Sequence, residues 1–145
     1  MRSQQIGQDE PRRWAVVLDT GDEVSEQLLR FAEAGQVRTA EFTAIGAFER
    51  VELGYYDVDA REYRNNPLDE QVEVLTMTGN IVSAGDRRQL HAHVVVGLRD
   101  ATTRGGHLLR AWVRPTLEVM VTESPRELTR RHDEPSGLAL IDLPA

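Results

Sequence analysis

The stretch that decides the fold is His91-Ala92-His93-Val94-Val95-Val96, followed after a polar segment by Gly105-Gly106-His107-Leu108-Leu109. Successive side chains of a β-strand point to opposite faces, so His91 and His93 share one face of the strand that the valines predict. The polar segment predicts a turn, after which the second stretch returns antiparallel. The sequence therefore predicts a β-hairpin in which His107 joins the other two histidines.

These three histidines are candidate ligands of a divalent transition metal. Three neutral imidazole nitrogens with an open fourth position are a common arrangement for zinc, and the chain has no cysteine whose thiolate would compete. A short His-x-His pattern also arises by chance. The alternative is therefore that the histidines are surface residues or hydrogen-bonded core residues, although the two glycines before His107 allow a close backbone approach.

Length and composition predict one domain. A chain of 145 residues is long enough to bury a core without metal or disulfides, and without cysteine no disulfide framework can form. No apolar stretch reaches the roughly 18 residues of a membrane span, and the first ten residues lack the apolar core of a secretory signal. We expect a cytoplasmic protein without membrane contact, with a flexible tail at residues 1–11 and a single domain at residues 12–145.

The net charge of the chain affects whether it can bind nucleic acid. All 17 basic residues are arginine, 24 residues are acidic, and the formal net charge is -7. A chain of this charge repels a phosphate backbone at long range. The composition therefore argues against nucleic-acid binding by this chain alone.

One main helix is predicted near the N-terminus. The apolar run at residues 14–18 predicts a strand that ends at a turn. Asp22 is placed to cap the following helix, and Gly35 to end it in the left-handed conformation. Its buried face is predicted from four apolar residues at helical spacing: Val24, Leu28, Phe31 and Ala32.

Most of the remaining chain predicts strands, at residues 40–45, 51–56, 72–77, 117–121 and 138–141. Ser124-Pro125-Arg126-Glu127 combines a capping serine, a proline at the first helical position and a glutamate three residues after the serine. This pattern predicts a second, short helix. The fold class is α/β (α+β), with a largely antiparallel sheet.

Other candidate site residues lie on the predicted strands. Glu118 stands between apolar neighbours, and it is either solvent-facing or buried and paired with histidine, arginine or metal. Five aromatic and basic residues are candidates for a ligand pocket, although aromatic residues on strands are more often part of the core. They are Tyr55, Tyr56, Arg110, Trp112 and Arg114.

Six motifs, in order along the chain, resemble the PPC domain that plants and prokaryotes share. The resemblance runs from about Trp14 to Leu143. The motifs are Ala44-Ile45-Gly46-Ala47-Phe48, Leu53-Gly54-Tyr55-Tyr56, Glu73-Val74-Leu75-Thr76-Met77-Thr78-Gly79-Asn80-Ile81, His91-Ala92-His93, Gly105-Gly106-His107-Leu108 and Thr116-Leu117-Glu118-Val119.

This resemblance implies a mixed, mostly antiparallel sheet assembled as a homotrimer. It implies that His91, His93 and His107 form the metal site of stand-alone prokaryotic members, usually a zinc site, with Glu118 either as a fourth ligand or as a group that hydrogen-bonds to a ligand. In plant members the domain follows AT-hook motifs that bind AT-rich DNA, and prokaryotic members are labelled as DNA-binding proteins by analogy. This chain has no Arg-Gly-Arg-Pro hook.

Several functions remain open at this point. The first is a homotrimer with a three-histidine metal site that binds or acts on an unknown small ligand. The alternatives are a DNA-binding protein, as the family label suggests, and a trimeric scaffold that binds another protein. Cupins also carry His-x-His on a strand, but they need a glutamate four or five residues beyond the second histidine, where this chain has Gly97 and Leu98.

Overall fold

The computed structural model describes residues 1–7 and 11–143. Within these ranges the chain forms nine strands and one helix, and strands predominate. Their order is β1 (Arg2–Gly7), β2 (Arg13–Asp19), α1 (Val24–Ala34), β3 (Ala40–Asp57), β4 (Glu62–Leu68), β5 (Val72–Ala84), β6 (Arg87–Gly97), β7 (Thr103–Glu123), β8 (Thr129–Asp133) and β9 (Leu138–Asp142). No helix of the described ranges is long and apolar enough to cross a membrane.

The sheet is mixed and mostly antiparallel, as the resemblance implies. Its single parallel pairing joins β5 and β8 through Ser83 and Thr129. The first part of β3 pairs with β5, β5 pairs with β6, β6 pairs with the start of β7, and β7 pairs with β3 from Ala40 to Gly54. The strands β3, β5, β6 and β7 therefore pair in a closed cycle. This cycle fixes the position of β6 relative to β7, because the two strands pair with each other and are also connected through β5 and β3.

The core forms where α1 packs against one face of the sheet, of which β2 is a part. All four residues predicted for the helix face are buried. The ring of Trp14 on β2 meets the ring of Phe31 edge-on, with 5.6 Å between the ring centres. Phe42 and Phe48 of β3 are among the largest fully buried side chains. The outer face of the cycle is left for other contacts.

The ends of α1 differ from the prediction. Glu23 caps the helix, because its carboxylate accepts a hydrogen bond from the backbone N–H of Glu26 at 2.7 Å. The Asp22 carboxylate instead accepts from the backbone N–H of Asp19 at 3.0 Å. Gly35 has right-handed backbone angles, and the left-handed conformation falls one residue later, on Gln36.

The predicted short helix at residues 124–127 does not form. Thr39 instead bonds both ends of this segment, which bends at residues 125 and 126: its carbonyl oxygen accepts from the N–H of Ser124, and its hydroxyl accepts from the N–H of Leu128 at 2.9 Å. The Glu127 carboxylate accepts from the hydroxyl of Ser83 at 2.8 Å instead of turning back to cap a helix. Tertiary hydrogen bonds therefore override the local capping pattern.

One predicted break in the sheet is also absent. Residues 40–45 and 51–56 belong to the single strand β3, and the predicted interruption at Gly46 is a bulge with φ +149°. The sequence predicts a flexible tail at residues 1–11; within it Arg2–Gly7 form β1 and pair with β2, and residues 8–10 lie outside the described ranges. Pairing with the edge of a sheet requires only backbone hydrogen bonds, so this polar segment needs no apolar pattern that would predict a strand.

Candidate metal centre

The β6–β7 hairpin brings the three histidines together, as predicted. His93 and His107 are direct partners across the two strands. Ala92 and Val94 are buried, so His91 and His93 point to the opposite, outer face. Ring centres lie 5.1 Å apart for His91–His93 and for His91–His107, and 5.5 Å apart for His93–His107. One ring nitrogen from each histidine lies within 4.8 Å of the other two.

Two glycines allow the strands to hold the histidines in this position. A Cβ atom at Gly106 would lie 2.8 Å from the carbonyl oxygen of Gly54, so β7 lies against β3 only because residue 106 has no side chain. A Cβ at Gly79 would lie 2.3 Å from the carbonyl oxygen of His91. The backbone on either side of the site is therefore fixed by close contacts.

The protonation of the rings suits a metal ligand. Burial lowers the pKa of His107 to about 4, with smaller contributions from His91 and His93. The pKa of His91 is also lowered, first by burial and then by Arg130 and His93. Both rings are therefore neutral at pH 7, which is the form that binds a metal.

The separation and burial of the nitrogens fit a metal of the size of zinc. Tetrahedral bonds of about 2.0–2.1 Å place ligand nitrogens about 3.4 Å apart, so small side-chain rotations close the observed spacing. His91 and His107 are half-buried and His93 is exposed, which leaves one side open to a ligand. The Nδ1 atom of His107 is buried without a hydrogen-bond partner among the described residues. Buried polar atoms are rarely left unpaired, so this atom marks the site as incomplete.

Two residues that the sequence analysis missed border the histidines. The ring centre of Tyr63 on β4 lies 4.8 Å from that of His107. Nη2 of Arg130 on β8 lies 3.5 Å from Nδ1 of His91. Both residues reach the site from strands far away in sequence, and no local pattern marks either one.

The five residues predicted to line a pocket do not lie together in the structure. Tyr56 lies near the histidines, since its ring centre is 4.9 Å from that of Tyr63. Tyr55 is exposed. The other three lie further along β7, where the guanidinium groups of Arg50 and Arg110 stack on Trp112 and Nη1 of Arg114 lies 4.0 Å from Glu49.

The structure does not place Glu118 at the metal site. It is exposed, pairs with Val17 and Ile45, and follows His107 by eleven residues on the same strand. At about 3.3 Å per residue, this spacing corresponds to roughly 36 Å along β7. Within one chain, Glu118 therefore neither completes the histidine set nor orients it.

Comparisons with known proteins agree with the fold and the motifs. The Plants and Prokaryotes Conserved (PCC) domain model matches residues 6–125. Among solved structures, a candidate DNA-binding protein from Bacteroides thetaiotaomicron is 26% identical over 97% of this chain and 96% of its own, with a TM-score of 0.91. A metal-containing protein from Archaeoglobus fulgidus is 33% identical over 90% and 93%, with a TM-score of 0.84.

A third similar structure is itself named for the family. A plant- and prokaryote-conserved (PPC) protein from Pyrococcus horikoshii is 25% identical over 92% of this chain and 93% of its own, with a TM-score of 0.87. No curated protein gave a significant match. The family model covers most of the chain, so the resemblance read from the six motifs is confirmed: this chain is a member of the PPC family, whose shared domain is the Plants and Prokaryotes Conserved domain.

Proposed function

We propose that this protein binds a divalent transition metal, most simply zinc, through His91, His93 and His107, and that the loaded site binds a small molecule. The observation that carries the proposal is the convergence of three ring nitrogens within 4.8 Å on one hairpin. The buried, unpartnered Nδ1 of His107 supports it. So does the 33% identity with a relative described as metal-containing.

The ligand set determines what the site can do. A divalent metal held there supplies a Lewis acid with coordination positions that the imidazoles leave open. Among the described residues, the cluster contains no carboxylate, so the ligands that the chain offers are electrically neutral. His93 is exposed and would leave one side open to a ligand, while His91 and His107 are half-buried.

Elemental analysis of protein purified without a histidine tag tests the proposal. We expect about one transition metal per chain in the wild type and almost none in a His91→Ala, His93→Ala double variant. His132→Ala is the matched control, because His132 is an exposed histidine that lies 3.6 Å from Glu134. If the double variant retains as much metal as the wild type, these histidines do not form a metal site.

We also propose that the protein assembles as a homotrimer, as its family resemblance implies. Support comes from the outer face of the strand cycle, where four apolar side chains on neighbouring strands are exposed. They are Ile45 on β3, Leu75 on β5, Val95 on β6 and Met120 on β7. Exposed apolar groups gathered on one face are typical of protein interfaces. Val95 lies two residues from His93, so this face is continuous with the histidines.

Light scattering tests the assembly. A trimer has a mass of 48.9 kDa, three times the chain mass of 16.3 kDa. Ile45→Asp should lower the measured mass, because it places a charge on the outer face. Val58→Asp is the control, since Val58 is 62% exposed, close to the 59% of Ile45, and follows the end of β3. A wild-type mass of 16.3 kDa at micromolar concentration refutes the trimer.

DNA binding is a second candidate function, because the relative from Bacteroides thetaiotaomicron is a candidate DNA-binding protein. The feature of this chain that favours it is the stack of Arg50 and Arg110 on Trp112, with the guanidinium carbons 3.8 and 4.7 Å from the ring centre. Arginine and aromatic groups together are suited to nucleic acid. The formal charge of -7 opposes this function, and the metal site is favoured over it.

A further inference from the structure

Arg130 is a partly buried arginine that the chain itself holds in place at the histidines. Its Nη1 donates to the carbonyl oxygen of Ala139 at 2.8 Å, and its Nη2 donates to Oδ1 of Asn80 at 2.8 Å. The same Nη2 lies 3.5 Å from Nδ1 of His91. The guanidinium group is therefore positioned before any ligand arrives.

This positive charge has no counterion within the described part of the chain. No carboxylate there lies within 4.0 Å of Arg130, whereas the next residue, Arg131, pairs with Asp142 at 3.3 Å. The Nε atom of Arg130 is also buried without a hydrogen-bond partner. A partly buried charge is costly unless it is paired, so the position of Arg130 points to an anion that the described chain does not supply.

We propose that the small molecule bound at the histidines carries a carboxylate and that Arg130 binds this group. The inference rests on the proposed function, because the metal would hold another atom of the same molecule. A metal held by neutral ligands and an unpaired guanidinium both attract negative charge, and they lie side by side. The planar fork of arginine matches a carboxylate, and the hydrogen bonds to Asn80 and Ala139 fix its orientation.

A carboxylate fits the site better than a phosphate does. Phosphate sites usually combine several cationic groups or backbone N–H donors. Among the described residues, Arg130 has the only guanidinium for which a contact with one of the three histidines is found. On the other side of the cluster, the ring of Tyr63 covers His107 and offers an apolar surface. The combination favours a small organic acid.

Two titrations separate the proposed function from this inference. Cobalt(II) is first added to the metal-free protein, and its visible absorption bands report whether the three histidines bind the metal before any other ligand is present. Propionate, propionamide and inorganic phosphate are then added separately to the cobalt-loaded protein, and the shift of the same bands gives a dissociation constant for each. Propionate and propionamide have similar shapes and differ in charge, so their comparison isolates the carboxylate.

The variants are Arg130→Gln and Arg130→Lys, with Arg131→Gln as the matched control on the same strand. We expect Arg130→Gln to weaken propionate binding about tenfold or more, Arg130→Lys to weaken it less, and Arg131→Gln to leave it unchanged. Cobalt binding should not weaken in Arg130→Gln, because the change removes a positive charge near the metal. Arg130→Lys keeps the charge, so it gives a reading even if Arg130→Gln folds poorly.

Several results would overturn the inference. Propionate binding to Arg130→Gln with the wild-type constant is one, and propionamide or phosphate binding as tightly as propionate is another. Cobalt binding without any propionate binding overturns this inference and leaves the proposed function intact. Failure of cobalt to bind overturns both.

Discussion

Replacing Gly79 by alanine tests how closely β5 and β6 must approach to hold the histidines. A Cβ atom at this position would lie 2.3 Å from the carbonyl oxygen of His91, 2.6 Å from Cζ of Phe42 and 2.9 Å from Cα of Ala92. Ordinary van der Waals contact begins at 3.4 Å, so the nearest contact is 1.1 Å too short. Phe42 is buried and the other two contacts are backbone atoms, so no flexible group can move aside.

The expected cost follows from this displacement. Relieving an overpacked contact of this kind costs about 1–3 kcal/mol. Moving the strands apart by 1 Å also lengthens the neighbouring backbone hydrogen bonds beyond useful range, at about 1 kcal/mol each. We expect a loss of about 3 kcal/mol in the free energy of unfolding, or a fall in Tm of roughly 6–12 °C for a chain of this size. Metal affinity should fall as well, because the backbone of His91 moves.

Urea unfolding at one fixed chain concentration measures this cost, and a fixed concentration is needed because an oligomer unfolds in a concentration-dependent way. Gly105→Ala is the matched control, since a Cβ there would lie 3.3 Å from the carbonyl oxygen of Val94. The control should lose less than about 1 kcal/mol. If Gly79→Ala is as stable as Gly105→Ala, the close approach of β5 and β6 does not constrain the site.

Three further predictions address the site, the partners and the C-terminal segment. The lowered pKa values of His107, about 4, and of His91 mean that protons compete with the metal only at lower pH than for ordinary histidines. Calorimetry at pH 7.0 and 5.5 should therefore show a loss in metal affinity well below the roughly tenfold per histidine expected for a pKa of 6.5, and a thousandfold loss would contradict this. A trimer carries a formal charge of -21, three times -7, so fluorescence anisotropy at about 150 mM salt should show no submicromolar binding to AT-rich or GC-rich duplexes. Thr39→Val removes the hydroxyl that accepts from the N–H of Leu128 and should cost about 1–3 kcal/mol in urea unfolding, whereas an unchanged midpoint would show that water replaces this hydrogen bond.

The histidine hairpin could be predicted from sequence because its information is local. A His-x-His pattern, a run of valines and a polar turn determine which side chains share a face and where the chain reverses. The observed pairing of His93 with His107 follows from this pattern alone. The buried face of α1 was predictable for the same reason, since a period of 3.6 residues is a property of a short window.

The errors arise where distant residues decide the local structure. At Gly46 the chain continues as one strand through a bulge, because β5 and β7 pair with β3 on both sides of it, and the backbone of Thr116 lies so close that residue 46 has no room for a side chain. The short helix at Ser124 is replaced by hydrogen bonds to Thr39, which is more than 80 residues away. The motif containing Glu118 carries no information about the length of β7, which places Glu118 eleven residues beyond His107 on the same strand.

The division of the site between two parts of the chain bears on how its specificity is determined. The three histidines lie within residues 6–125, which match the family model, and the closed cycle of β3, β5, β6 and β7 fixes their positions. Arg130 lies beyond that range, on β8, and reaches the site because β8 pairs with β5 at Ser83, three residues from Asn80. The proposed metal ligands thus lie within the residues that match the family model, whereas the proposed carboxylate contact lies on a strand that follows those residues. A change in that strand alone would alter which ligand binds and leave the metal site in place.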